Sequence, residues 1–204
     1  MRAAAVVLAL LFGLGCKRHD APPGPSASAV PSVAPSPVPA GESIYVLGTR
    51  LVDQDDAKVR FDVFRGHPVL VAMFYATCPA ACPTLTRDLQ HIEERLTSEQ
   101  RADLRVLMIS FDPERDTPAK LRGLVDKYKV DTTRWKFATS SEKSVREIAA
   151  VLGVQYRKID DGEFAHSTKI VLLDREGAIA AQLEGLRQPS DELVATLQSL
   201  PKAP

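Results

Sequence analysis

Two cysteines with three residues between them, Cys78 and Cys82, are the side chains of this sequence best placed to do chemistry. They lie in Thr77-Cys78-Pro79-Ala80-Ala81-Cys82-Pro83. Two neighbouring thiolates can close a disulfide or grip a soft metal ion. The run before them, Val69 to Tyr75, has the length and residue types of a buried strand. After them, Leu85, Leu89, Ile92 and Leu96 fall on one face of a helix. The pair is therefore expected where a buried strand turns into a helix, with both sulfurs on one side of the first turn. Free amide N–H groups and the helix dipole favour a thiolate there.

The other cysteine, Cys16, closes an apolar N-terminal run; if it is acylated, Cys78 and Cys82 remain as an even, adjacent pair. A structural disulfide is disfavoured, because so short a loop restrains the unfolded chain little and the chain has length enough for a core. A closed zinc site is disfavoured too, since zinc takes four ligands and no second cysteine pair is present. A redox pair or a soft-metal site is the better reading. Two thiolates favour an ion such as Cu(I), and one imidazole completes a three-coordinate site.

Four histidines compete for that place. His19 lies in a proline-rich tail, which seldom orders a ligand. His67 precedes a proline in a turn and is expected to be solvated. His91 sits between Leu89 and Ile92 on the cysteine helix and is expected off its core face. His166 lies in Glu163-Phe164-Ala165-His166-Ser167-Thr168, just before an expected core strand, where loops tend to present functional side chains. Spacing by itself leaves the choice open.

The elements that must position these side chains follow from pattern. Tyr45–Leu47 and Val59–Val63 read as short strands, and Gly66-His67-Pro68 is a turn into the central strand. Leu104 to Phe111 reads as a second buried strand. In Asp112-Pro113-Glu114-Arg115-Asp116-Thr117-Pro118, Thr117 suits a helix N-cap and Pro118 the first helical position, so a helix is expected to about Tyr128. Trp135–Ala138 reads as a strand, and Ser141–Leu152 as a helix burying Val145, Ile148, Ala149 and Leu152. Thr168–Leu173 and Ala178–Ala181 form a closing hairpin around Asp174-Arg175-Glu176-Gly177, and Pro189–Leu200 a last helix. Strands alternating with helices argue for an α/β sandwich of the thioredoxin kind, a central mixed sheet between flanking helices.

The 204 residues carry 26 basic and 26 acidic side chains, so no charge excess points to nucleic acid or an anionic membrane face. Apolar residues make up 45%, enough for one core. Ala3 to Leu14 is apolar but too short to span a bilayer, and Leu14-Gly15-Cys16 resembles a bacterial lipoprotein signal in which Cys16 carries the lipid. Residues 17–41, rich in Pro, Ala and Ser, are expected to stay extended and disordered. At ~3 Å per residue such a linker holds a domain up to ~75 Å from its anchor. The organisation expected is a signal segment 1–16, a linker 17–41 and one domain 42–204, membrane-anchored in the cell envelope and facing the periplasm.

Phe74-Tyr75-Ala76-Thr77-Cys78-Pro79-Ala80-Ala81-Cys82-Pro83, Ile109 to Pro118 and the His166-Ser167 loop together resemble the Sco/SenC/PrrC family, over roughly Ile44 to Leu200. The combination of Cys-x-x-x-Cys-Pro with Asp-Pro-x-x-Asp-Thr-Pro is specific, whereas either alone is weak. The resemblance implies a thioredoxin-like fold, membrane tethering, and copper bound as Cu(I) or Cu(II) by Cys78, Cys82 and His166. It implies delivery of copper to, or reduction of the cysteines of, the dinuclear copper centre of cytochrome c oxidase. The partners implied are the copper-receiving subunit of that oxidase and other copper-donor or thiol-redox proteins. One departure stands out: the family usually has an acidic residue before the histidine, and this sequence has Ala165. A carboxylate there would orient or charge-balance the site, so its loss bears on copper affinity; Asp160, Asp161 and Glu163 are the substitutes in reach. The competing reading is a thiol–disulfide oxidoreductase acting through Cys78 and Cys82 on exported proteins.

Overall fold

The structure, a computed structural model, describes residues 42–159 and 162–202. The expected signal segment 1–16 with Cys16, the linker 17–41, and Asp160 and Asp161 lie outside the described residues. The described chain opens with a 3-10 turn, Ile44–Leu47, then strands β1 (Arg50–Asp53) and β2 (Lys58–Arg60) and a second 3-10 turn, Phe61–Phe64. There follow β3 (Val69–Phe74), α1 (Ala81–Glu94), α2 (Ser98–Asp103), β4 (Arg105–Ser110), α3 (Pro118–Tyr128) and β5 (Trp135–Thr139). The remainder is α4 (Glu142–Leu152), β6 (Tyr156–Lys158), β7 (Phe164–His166), β8 (Lys169–Leu173), β9 (Ile179–Glu184) and α5 (Asp191–Ser199).

Seven strands form one sheet in the order β2-β1-β5-β4-β3-β8-β9, and β6 pairs with β7 as a separate ribbon. β3, β4 and β5 run parallel, while β1, β8 and β9 are antiparallel to their neighbours. Every residue of β3 and β8, and all of β4 except Arg105, is buried. Strands apolar on both faces need cover on both sides, so helices flank the sheet. β9, at the edge, alternates half-buried and exposed residues instead. The result is the expected thioredoxin-like sandwich.

Helix faces and starts obey the same physics. α1 buries Leu85, Leu89 and Ile92, each worth about 1.5–3 kcal/mol, so packing more than propensity fixes its place. α4 buries Val145, Ile148, Ala149 and Leu152. Thr117 accepts from the Lys120 N–H at 3.5 Å with Pro118 in the first position, and Ser141 accepts from the Ser144 N–H at 3.2 Å.

Two local expectations are corrected, and one helix was not expected. Tyr45–Leu47 is a 3-10 turn rather than a strand, because the Ser43 side chain caps its start and Gly48 at φ 59° ends it. Val59–Val63 is a strand only to Arg60; Phe61 and Phe64 turn inward into the core. α2 occupies a stretch with no apolar stripe, held by a reciprocal capping box between Thr97 and Gln100.

The register sets the site. In the parallel pair, Phe74 of β3 lies beside Ser110 of β4, so the cysteine loop and the Asp-Pro loop leave the same end of the sheet. That end, the carboxyl end of parallel strands, is where α/β folds place ligands.

Candidate metal centre

α1 begins without a capping side chain: its N-cap is Ala80. Its first amides are therefore open to an acceptor from outside, and the Cys78 sulfur takes that place. Burial alone would push the Cys78 thiol up, but the amides of Cys82, Ala80 and Ala81 and the Cys82 thiol outweigh it, and the pKa falls below the ordinary thiol value. Cys82 is the opposite case. Burial, with the neighbouring Cys78 and Asp116 charges behind it, pushes its thiol well up, and that thiol donates to the Tyr75 carbonyl at 3.3 Å. The same carbonyl accepts the Cys78 N–H at 3.2 Å, which closes the turn. Both cysteines are free and buried. A thiol of lowered pKa at a helix N-terminus thus sits beside a buried thiol of raised pKa.

The Asp-Pro loop braces this turn from beneath. Asp116 is fully buried, and its Oδ2 accepts from the Ala76 N–H at 2.8 Å and the Ser110 hydroxyl at 2.6 Å. The Ser110 hydroxyl in turn accepts the Asp112 N–H at 3.0 Å. Among the described residues Asp116 Oδ1 has no hydrogen-bond partner, and burial raises the pKa of this carboxyl. Asp112 binds the Arg115 guanidinium, which also donates to the Gly162 carbonyl at the tip of the β6–β7 ribbon.

The ribbon carries His166. Its ring stands 5.0 Å from Phe111 and edge-on to Tyr75 at 5.9 Å between centroids. Phe164 packs on Phe111 and Tyr75 at 5.0 and 5.2 Å, and Tyr156 stacks on Phe111 at 5.1 Å. His166 Nδ1 is 3.1 Å from the Ser167 carbonyl, a contact that holds the proton on Nδ1 and leaves the Nε2 lone pair for a ligand. Tyr75 closes the ring of contacts: its hydroxyl donates to Glu163 at 2.6 Å, and burial first, then Glu163 and Cys78, raise its pKa.

The structure thus brings Cys78 and Cys82 together and sets His166 in the aromatic cluster around Tyr75. Among the described residues, no three His, Cys, Asp or Glu side chains already converge at ligating distances. The donor set of two sulfurs and one imidazole suits a soft ion. His166 lies on a short strand rather than in a loop, a correction to the sequence reading. His67 is another: its Nδ1 is 2.9 Å from Asp103 and its Nε2 3.2 Å from Arg105, so it is tied rather than solvated. It precedes β3 at the far end of the sheet, some 20 Å of strand from the cysteines. His91 is exposed on α1, as expected. Ala165 is exposed between half-buried Phe164 and His166, so an acidic side chain there would face away from the rings. Of the substitutes for it, Glu163 is engaged by Tyr75. Tyr75, Phe111 and Tyr156 are further site residues; for Tyr75 and Phe111 the signal is an aromatic directly after each motif strand.

The SCO1/SenC family model matches residues 46–202. The chain is 24% identical over 151 residues to the SCO1 protein homolog of Bacillus subtilis, covering 72% of this chain and 78% of that one. The solved structure of Bradyrhizobium japonicum ScoI with copper bound superposes with a TM-score of 0.63 at 24% identity, over 74% of this chain and 96% of that one. The structure of BsSco, described with a disulfide switch and as a member of the Sco family of cytochrome c oxidase assembly proteins, gives 0.63 at 23% identity, over 74% and 89%. The family model spans both motif loops, the ribbon and the sheet that aligns them, and the chain accordingly belongs to the SCO1/SenC family.

Proposed function

We propose that this chain is a membrane-tethered copper-delivery protein of cytochrome c oxidase assembly, holding copper through Cys78, Cys82 and His166. The observation that carries the reading is the uncapped start of α1, whose amides favour a thiolate at Cys78 beside Cys82, under a ribbon that presents His166. Family membership and the copper-bound relative support it. Two sulfurs hold Cu(I), and the imidazole makes Cu(II) accessible. The copper is cargo, passed to the copper-receiving subunit of the oxidase. In this reading Cys16 carries the lipid, residues 17–41 form the tether, and residues 42–204 face the periplasm. Cys16→Ser should then release the chain into the soluble exported fraction; an uncleaved, still membrane-bound variant would replace the lipid with a plain anchor.

The inequality of the two thiols favours a second reading, a thiol–disulfide oxidoreductase. The Cys78 thiolate would attack a partner disulfide, forming a mixed disulfide and releasing a partner thiolate. Cys82 would then lose its proton, attack Cys78 and release the second partner thiolate, leaving the Cys78–Cys82 disulfide. The two readings part at His166. Oxidase maturation in cells carrying only His166→Ala should fail if copper delivery is the task. Normal maturation there, with Cys78→Ser and Cys82→Ser both inactive, would hand the function to thiol exchange.

A further inference from the structure

α1 has a second organised face besides its buried one. Pro83, Thr84, Arg87 and His91, at helical spacing, line one wall of a groove of about 590 Å³, and Arg187 and Gln188 from the segment after β9 line the other. The groove begins at the residue that follows Cys82. Arg87, His91 and Arg187 are exposed. The carboxylate within the groove, Asp88, accepts the backbone N–H of Arg187 at 2.9 Å, and nearby Asp191 is paired with Arg95 at 2.7 Å. No ion pair among the described residues includes Arg87 or Arg187. Arg187 also holds a left-handed backbone, φ 56°, a conformation uncommon for a residue with a side chain. In a chain with equal numbers of acidic and basic residues, two exposed arginines outside the ion pairs of the described residues line one groove, which starts at the residue after Cys82 and has Asp88 as its lining carboxylate.

We propose that this groove is a docking surface for an acidic segment of the protein that exchanges copper or electrons with Cys78 and Cys82. Exposed cations near a transfer site steer an acidic partner and orient it, an effect on association that salt weakens. The identity of the cargo rests on the copper reading above, but the charge recognition does not. Binding can therefore be tested on the reduced, copper-free full chain, with a fluorescent twelve-residue glutamate-rich peptide as probe and its glutamine analogue as control, by anisotropy at low salt. The glutamate peptide should bind and the glutamine peptide should not. Arg87→Glu combined with Arg187→Glu should weaken binding at least about tenfold, whereas Lys143→Glu on α4 should leave it unchanged. Equal loss in the Lys143→Glu protein, unchanged binding in the double variant, or no binding by the parent chain would each overturn the proposal. Both arginine side chains are exposed, so thermal melting of the double variant should match the parent. Copper titration of the same proteins reads the other claim separately: a chain that takes up copper but ignores the peptide refutes the groove alone.

Discussion

The phenol of Tyr75 donates a 2.6 Å hydrogen bond to the Glu163 carboxylate, joining the residue three before Cys78 to the residue three before His166. With the Arg115 contact to Gly162, it fastens the ribbon to the two motif loops. A hydrogen bond to a charged acceptor is worth about 1.5–3 kcal/mol, enough to change local opening by about tenfold or more. Tyr75→Phe keeps the ring packing and deletes the bond. Amide exchange in β6 and β7 should then quicken by about that factor while β3 and β4 stay protected. Glu163→Gln, which keeps an acceptor, should show a smaller effect. Uniform change across the sheet in Tyr75→Phe would mean that the bond serves general stability and not the ribbon.

The two thiols should react unequally. Amides at the start of α1 lower the Cys78 pKa, so its thiolate fraction at neutral pH exceeds that of a free cysteine, while burial keeps Cys82 protonated. Iodoacetamide should modify Cys78 first in the reduced native chain, and the rate should level off below the pH at which a cysteine peptide does so. Mass spectrometry of quenched samples reads the order. Preferential labelling of Cys82 would contradict the assignment.

Asp116 makes a pH-dependent contribution with a definite sign. Burial raises its pKa in the fold, so between the ordinary carboxylate value and the raised one the folded state binds more protons than the unfolded state. The stability from this group is present below the ordinary value and lost as pH rises through the raised one. Asp116→Asn keeps an acceptor for the Ala76 N–H and removes the titration, so it should gain on the parent as pH rises from 4 to 8. Asp116→Ala strands two buried donors and should cost about 1–3 kcal/mol for each at any pH. Denaturant midpoints across that range check both; an asparagine variant that loses ground with rising pH would refute the sign.

Most of the scaffold was legible because its elements obey one period over enough residues. The buried runs at Val69 and Leu104, and the stripe from Leu85 to Leu96, have no other economical reading. Short segments were not legible. Tyr45–Leu47 is apolar enough for a strand, and only the flanking Ser43 and Gly48 decide for a turn. The ribbon escaped because each of its strands is three residues long and half polar, so its stability comes from Phe111 and Tyr75, far away in sequence. For α2 the sequence signal is the capping box, Thr97 with Gln100, since the helix carries no apolar stripe. For the site, the cysteines were readable from spacing, whereas the choice of His166 needed the family pattern. The Tyr75–Glu163 bond needed the fold.

Copper titration of the reduced full chain, with stoichiometry and ligand set read spectroscopically, tests the central claim most directly. The account predicts one copper per chain in either oxidation state. His166→Ala should retain Cu(I) on two thiolates and lose most Cu(II) affinity, and Cys78→Ser or Cys82→Ser should abolish tight binding of both. Affinity should fall as pH is lowered, because the thiols must shed their protons, and closure of the Cys78–Cys82 disulfide should eliminate it. Unchanged Cu(II) binding by His166→Ala, with both cysteine variants inactive, would contradict the three-ligand site.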